Sequence, residues 1–362
     1  MRLGVIVYDG LEETSGGYRY DRRLVAGLRD RGHEVTVVTI PRRRYEANLV
    51  DNVSRNVAAE LAALEVDVLL QDELCHPSLI RHNRRRDDAT PIVSVVHHLR
   101  CREPRTAWRN ACYRAIERRY LETVDAFVYN SETTRETVEA LVGPTRGVVA
   151  YPGGDHVETD LTRATIRTRA HDSGPLRLVF VGTLVERKGL HTLLRGLAAR
   201  PADEWTLTVV GDPTVDPAYA RRIGRLIDGL GIAESVTVAG RQPDAALAST
   251  LRESHVLAVP SGYEGFGIVY LEGMGFGLPA VATAAGGASE VVTDGKTGKL
   301  VPPGEPRAVA AAVGSFATDR ERLAEMGGAA RDAYDAHPTW DDTVDRVASF
   351  TTRLRDGGRV SP

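Results

Sequence analysis

The chain has 362 residues, 42% of them hydrophobic and 26% charged, with 35 glycines and a formal net charge of −3. That length exceeds one compact core and points to two domains, while the near-balanced charge provides no general field for nucleic acid. No apolar run approaches the ~20 residues of a membrane span, and the N-terminal MRLGVIVYDG lacks a signal peptide's apolar core and cleavage site. Cys75, Cys101 and Cys112 have no metal-like spacing and read as free thiols of a reducing cytoplasm.

In chain order, Leu3–Val7 reads as a strand, Gly16–Arg31 as a helix entered through a glycine pair, and Glu34–Ile40 as the next strand. Val66–Gln71, Pro91–Val96 and Val124–Asn130 continue the series. These runs are β-branched and do not alternate, as expected of strands covered on both faces. After the turn-forming Asp172-Ser-Gly-Pro175 the rhythm restarts. Leu176–Val181, Thr206–Val210, Val236–Ala239, Val256–Val259 and Ala280–Thr283 read as a second sheet, and Trp340–Arg355 as a final helix. The fold class is α/β, with two Rossmann-like, doubly wound domains over 1–170 and 171–338. Ligands of such sheets bind at the carboxyl ends of the strands, so two units facing each other would enclose one in a cleft.

Four features carry chemistry. Ser15-Gly16-Gly17 follows the first strand and precedes a helix, where backbone amides can approach an anion; a plain tight turn is an equal reading. Phe180-Val-Gly182-Thr-Leu-Val-Glu-Arg187-Lys188-Gly189 ends the second domain's first strand. It places two cations before a helix N-terminus, which suits a diphosphate leaving group. Lysine occurs only at Lys188, Lys296 and Lys299, so Lys188 stands out against an arginine background. The strongest feature is Pro260-Ser-Gly-Tyr-Glu264-Gly265-Phe266-Gly267-Ile268-Val-Tyr-Leu-Glu272. Glu264 lies in the loop, within reach of sugar hydroxyls. The amides of Phe266, Gly267 and Ile268 would face a phosphate, and Glu272 would accept ribose hydroxyls. The fourth is His97-His98, at a strand end, where a structural or solvated role competes with a functional one.

Together these residues resemble the retaining GT-B glycosyltransferases of family four, the group 1 glycosyltransferases. The signature is Glu264, seven residues, then Glu272. It is joined by Arg187-Lys188-Gly189, Gly16-Gly17, Ala285-Gly-Gly-Ala-Ser-Glu290 and Asp294-Gly-Lys-Thr-Gly298-Lys-Leu-Val-Pro-Pro303. Gly32-His-Glu-Val-Thr-Val-Val38 and Tyr129-Asn-Ser-Glu132 also fit. The resemblance covers nearly the whole chain. It implies that Glu264 contacts the transferred sugar, Glu272 the ribose, and Arg187 and Lys188 the diphosphate. Gly16-Gly17 would support the diphosphate from the other domain. His97 aligns better than His98 with the family's cleft histidine. Asp244 lies where the family reads the base, and the helix at 339–357 would pack back on the first domain. One position departs: the family's arginine after Gly182 is Thr183 here, so Arg187 is expected to supply that charge.

The implied reaction is hexosyl transfer from a UDP-sugar or GDP-mannose to an acceptor hydroxyl of a glycan or glycolipid, with retention. The departing phosphate takes the acceptor proton. It needs no cofactor and no metal, and no Asp-x-Asp motif stands in a matching loop. The partners are then the nucleotide sugar and a glycan or lipid-linked acceptor, without nucleic acid, in the cytoplasm. Arginines at 42–44, 81–86 and 100–119, with Trp108, Ile116 and Tyr120 at helical spacing, suggest peripheral contact with an inner membrane face. The plainer reading is a solvated surface compensated by Asp87, Asp88, Glu103 and Glu117. Competing functions are a sugar-nucleotide epimerase, a phosphorylase or a non-catalytic nucleotide-sugar sensor. A dehydrogenase is weaker, because no Gly-x-Gly-x-x-Gly follows the first strand.

Overall fold

The computed structural model describes residues 1–11, 16–86, 90–155 and 159–357. It divides into two compact units, Met1–Gly153 with Pro338–Pro362, and Gly154–His337. Each contains one six-stranded parallel sheet.

In unit 1 the strands are β1 (Arg2–Tyr8), β2 (Glu34–Ile40), β3 (Val68–Asp72), β4 (Ile92–Val96), β5 (Ala126–Tyr129) and β6 (Gly147–Val149), in the order β2-β1-β3-β4-β5-β6. Direction reverses between β1 and β3, which makes their carboxyl ends the switch point where a ligand crevice opens. β3, β4 and β5 are buried throughout. β2 alternates between buried and exposed positions because it is an edge strand with one side toward water. The expectation of strands covered on both faces therefore fails at the edge. The sequence reading also omitted β6, whose three residues are too short for a pattern.

The final helix, Trp340–Arg355, starts in a capping box made by Thr339 and Asp342. It buries Trp340, Val344, Val347, Phe350 and Leu354. Its partner is the helix Gly16–Asp30, where a Cβ on Gly27 would come within 2.6 Å of the Val344 side chain. Arg31 Nε donates to Asp345 at 2.5 Å, and Thr343 donates to the Tyr151 carbonyl at 2.5 Å. This helix belongs to unit 1 by contact although it is last in sequence.

In unit 2 the strands are β7 (Leu176–Val181), β8 (Trp205–Val210), β9 (Val236–Gly240), β10 (Val256–Ala258), β11 (Ala280–Thr283) and β12 (Gly298–Val301), in the order β12-β11-β10-β7-β8-β9. The switch point lies between β7 and β10. β9 is a largely exposed edge. β12, with Lys299 in its centre, was missing from the sequence reading. The unit boundary falls at 153/154, not 170/171. The helix Arg163–Ala170 packs against Arg320–Asp335, and Arg169 donates to the carbonyls of Phe276 and Gly277 at 2.8 and 2.9 Å.

Candidate active site

The two loops at the switch point of unit 2 carry its strongest motif residues. The loop after β7 runs through Gly182 to a short turn, Glu186–Lys188, and then into the helix Leu190–Leu197. Gly189 makes that entry at φ +73°, and a Cβ there would sit 2.0 Å from the Pro260 carbonyl oxygen. Only glycine meets both demands. The Gly262 amide in turn donates to the Arg187 carbonyl at 2.7 Å, so the loops after β7 and β10 are tied together.

That tie brings Glu264 to the two cations. Lys188 Nζ donates to Glu264 Oε1 at 2.7 Å, and Ser261 Oγ donates to the same oxygen at 2.6 Å. Arg187 Nη1 donates to the Tyr263 carbonyl at 2.9 Å and lies 3.5 Å from Glu264 Oε2. Glu264 is buried. Burial alone would raise its pKa, but Lys188 and Arg187 outweigh it and hold the carboxyl down at about 2. Two cations share one carboxylate, so the cluster keeps a positive surplus for an arriving phosphate.

Behind Glu264, Gly265 and the buried Phe266 lead to Gly267, left-handed at φ +98°, which opens the helix Ile268–Gly275. The amides at its start stand at the positive end of the helix dipole. Glu272 is buried on this helix. The Gly287 amide donates to the Glu264 carbonyl at 2.9 Å, so the Gly286-Gly287 segment braces the carboxylate's backbone. Asp244 is exposed at the start of the helix Asp244–Glu253 and makes no side-chain hydrogen bond or ion pair among the described residues. The structure joins Arg187, Lys188 and Glu264, and leaves Asp244 apart from them.

Unit 1 builds a second charged cluster. His97 follows β4 and is buried. Its Nε2 lies 3.0 Å from Asp21 Oδ1, on the helix Gly16–Asp30. Asn130 holds the His97 carbonyl at 2.8 Å, and the Tyr20 ring meets the imidazole edge-on at 5.1 Å. Gly17 seats the ring: a Cβ there would be 3.0 Å from His97 Cδ2. Gly16 begins the same helix and is exposed, whereas Ser15 lies outside the described residues. Close approach to His97 is thus one physical reason for the glycine pair. Asp72, at the end of β3, completes the group, with a carboxylate oxygen of Asp21, one of Asp72 and a ring nitrogen of His97 within 4.8 Å of one another. His98 instead pairs with Glu103 at 3.0 Å.

Glu73, His76 and Glu117 form a third cluster, with His76 Nδ1 3.0 Å from Glu73 Oε1. Burial pushes Glu73 and Glu117 up to about 7 and His76 down to about 4. Glu117 was expected to compensate surface arginines. It is instead fully buried and accepts the backbone amides of Arg100 and Cys101 at 2.5 and 3.2 Å. The arginine-rich helix Ala107–Leu121 is not a single apolar stripe either: Trp108 is 66% exposed and Tyr120 fully buried. Asp87 and Asp88 lie outside the described residues.

Two family models match the chain: "Glycosyltransferase Family 4" over residues 14–158 and "Glycosyl transferases group 1" over 163–333. The chain belongs to the group 1 glycosyltransferases. It is similar to the GDP-mannose-dependent alpha-(1-6)-phosphatidylinositol monomannoside mannosyltransferase of Mycobacterium tuberculosis (strain CDC 1551 / Oshkosh), 31% identical over 252 residues. That match covers 66% of this chain and 64% of the relative, so the chain spans under two thirds of that protein's length. Among solved structures it resembles sucrose-phosphate synthase (tll1590) from Thermosynechococcus elongatus, with a TM-score of 0.84 at 21% identity, covering 99% of this chain and 100% of that one. It also resembles Anabaena Alr3699/HepE in complex with UDP and glucose, with a TM-score of 0.76 at 19% identity and coverages of 97% and 99%. At these identities the structures establish the GT-B fold alone.

Within this glycosyltransferase family framework, the residues missed from sequence are those that support the named ones. Asp21 and Asn130 hold His97, with Asp72 close by, and Ser261 holds Glu264. In sequence, Tyr129-Asn130-Ser131-Glu132 is a matching motif and no more. Its signal was available, since an asparagine just after a parallel strand can reach the loop of the neighbouring strand.

Proposed function

We propose that the chain is a retaining, metal-independent hexosyltransferase that uses a nucleotide-diphosphate sugar. The observation that carries this reading is Glu264 held between Lys188 and Arg187 at the switch point of unit 2. A diphosphate would draw on the two cations as its charge grows on leaving, and Glu264 would turn to a sugar hydroxyl. No protein nucleophile is needed if the departing phosphate takes the acceptor proton. GDP-mannose is the first donor to test, because the mycobacterial relative is named for it. UDP-sugars are the second, because the Anabaena neighbour holds UDP. Glu272 would bind the ribose, Asp244 the base side, and the amides from Phe266 to Ile268 the phosphates. Gly182 would give the leaving group room, and the backbone at Gly16 and Gly17 would offer amides to an anion.

The acceptor would be a glycan or lipid-linked hydroxyl, in keeping with the phosphatidylinositol monomannoside in the relative's name. We place the reaction in the cytoplasm with peripheral membrane contact, for which exposed Trp108 beside Arg105 and Arg109 offers an anchor. No helix among the described residues is long and apolar enough to cross a membrane. Incubation with GDP-mannose or UDP-glucose and an inositol phospholipid, in excess EDTA, tests the proposal. The expected product carries the donor's anomeric configuration. An inverted product, or turnover only with added metal, would refute the corresponding part. Co-sedimentation with anionic vesicles tests the membrane contact, and no binding to them would remove it.

A further inference from the structure

We infer that Asp21 is a positioning residue that keeps His97 in the imidazolium form, so that the ring presents a charged N–H donor to substrate. This rests on the transferase reading for its purpose, but not for its chemistry. Asp21 lies one helical turn after Gly17, and the two grip the ring from one helix: Gly17 by contact, Asp21 by its carboxylate at 3.0 Å from Nε2. Asn130 fixes the backbone on the other side. The ring therefore has little freedom to turn Nε2 elsewhere.

Charge balance within the cluster dictates the protonation. Asp21 and Asp72 are each nearly fully buried, and Oδ2 of each has no hydrogen-bond partner. Two carboxylates beside a neutral ring would bury two uncompensated negative charges, at a cost of several kcal/mol per ion. One proton on His97 and one on Asp72 leave the cluster neutral. Burial works against a charged ring, and the charge and hydrogen bond of Asp21 are the largest influences that overcome it and raise His97 to about 9. Asp72 moves upward too, through its own burial and the charge of Asp21. These groups act on the ring from the helix Gly16–Asp30, from β3 and from the turn that follows it.

The consequence concerns Nδ1. A neutral ring with its proton on Nε2, facing Asp21, leaves Nδ1 an acceptor. An imidazolium makes Nδ1–H a donor, suited to a sugar hydroxyl oxygen or a phosphate oxygen.

Nitrogen-15 imidazole spectra of the full chain, assigned with His97→Ala, test this directly. In the wild type both ring nitrogens should be protonated at neutral pH, with titration near 9. In Asp21→Asn the ring should titrate at or below the ordinary ~6.5. The alkaline limb of kcat/KM should follow it down, so that roughly four-fold or more is lost at neutral pH and regained on acidification. Asp21→Glu should restore the limb. Asp72→Asn should leave the imidazolium signal in place. A neutral wild-type ring at neutral pH overturns the proposal, even if Asp21→Asn fails to fold. So does an unmoved titration in that variant, or quenching of the His97 signal by micromolar Mn²⁺, which would mean a bound divalent cation instead. Failure of the transferase reading shows differently: no turnover in the wild type, with the imidazolium still present.

Discussion

The two units each set a single ionised group among partners of the opposite kind. At the switch point of unit 2, two cations, Arg187 and Lys188, surround one carboxylate, and Glu264 is held down at about 2. At the strand ends of unit 1, two carboxylates, Asp21 and Asp72, surround one imidazole, and His97 is held up at about 9. A diphosphate gains from the first arrangement and not from the second. On the proposed function, the anion therefore belongs with unit 2.

The largest effect should come from breaking the positive cluster. Lys188→Ala is expected to lower kcat/KM by about a thousand-fold. It should also cost about 3 kcal/mol of stability, because Glu264 stays buried with only Arg187 beside it. Denaturant melts alongside steady-state kinetics check both. In a Lys188→Ala/Glu264→Gln double variant most of the stability loss should disappear while activity stays low.

Glu264→Gln alone should cost about a hundred-fold in kcat/KM. It also tests the pH behaviour. A carboxyl lowered from 4.5 to about 2 contributes stability that is complete above 4.5 and fades as pH falls through about 2. The wild type should therefore lose about 3 kcal/mol more than Glu264→Gln across that acidic window. Equal acid profiles for the two proteins would show that the carboxylate is not held by the cations.

A smaller change should follow Gly17→Ala. Its new methyl would meet His97 at 3.0 Å, pushing the ring by a few tenths of an ångström. Roughly ten-fold loss in kcat is expected, with the melting temperature little changed. Unaltered kcat would mean that the ring's seat in unit 1 is not used. The smallest effect is on the capping box of the last helix: Thr339→Ala should cost about 1 kcal/mol and leave turnover intact.

Much of this was legible in sequence, and the exceptions follow a rule. Patterns confined to one segment were readable. The buried strands announced themselves by continuous β-branched runs, the Gly-Phe-Gly turn by its glycines, and Trp340–Arg355 by Val344, Val347 and Phe350 at helical spacing. Features that depend on distant segments were not. β12 was missed because Lys299 breaks an apolar run that is really an edge. Glu117 looked like surface charge because its burial comes from contacts with the segment at 100–101. Asp21 sits in a helix of ordinary composition, and only the fold brings it to His97. Arg187, Lys188 and Glu264 were each singled out, yet sequence gave them separate duties toward sugar and diphosphate. The structure joins them into one cluster, in which the carboxylate of Glu264 also restrains the cations.

The central claim is that this cluster receives the diphosphate of a nucleotide sugar. Isothermal titration of GDP and UDP into the wild type, Lys188→Ala and Glu264→Gln tests it most directly. We predict that one of the two nucleotides binds the wild type, that Lys188→Ala weakens it at least about ten-fold, equivalent to ~1.4 kcal/mol, and that Glu264→Gln binds it as tightly or more so, because both cations are released. Nucleotide affinity that is absent from the wild type, or unchanged by Lys188→Ala, would contradict the account.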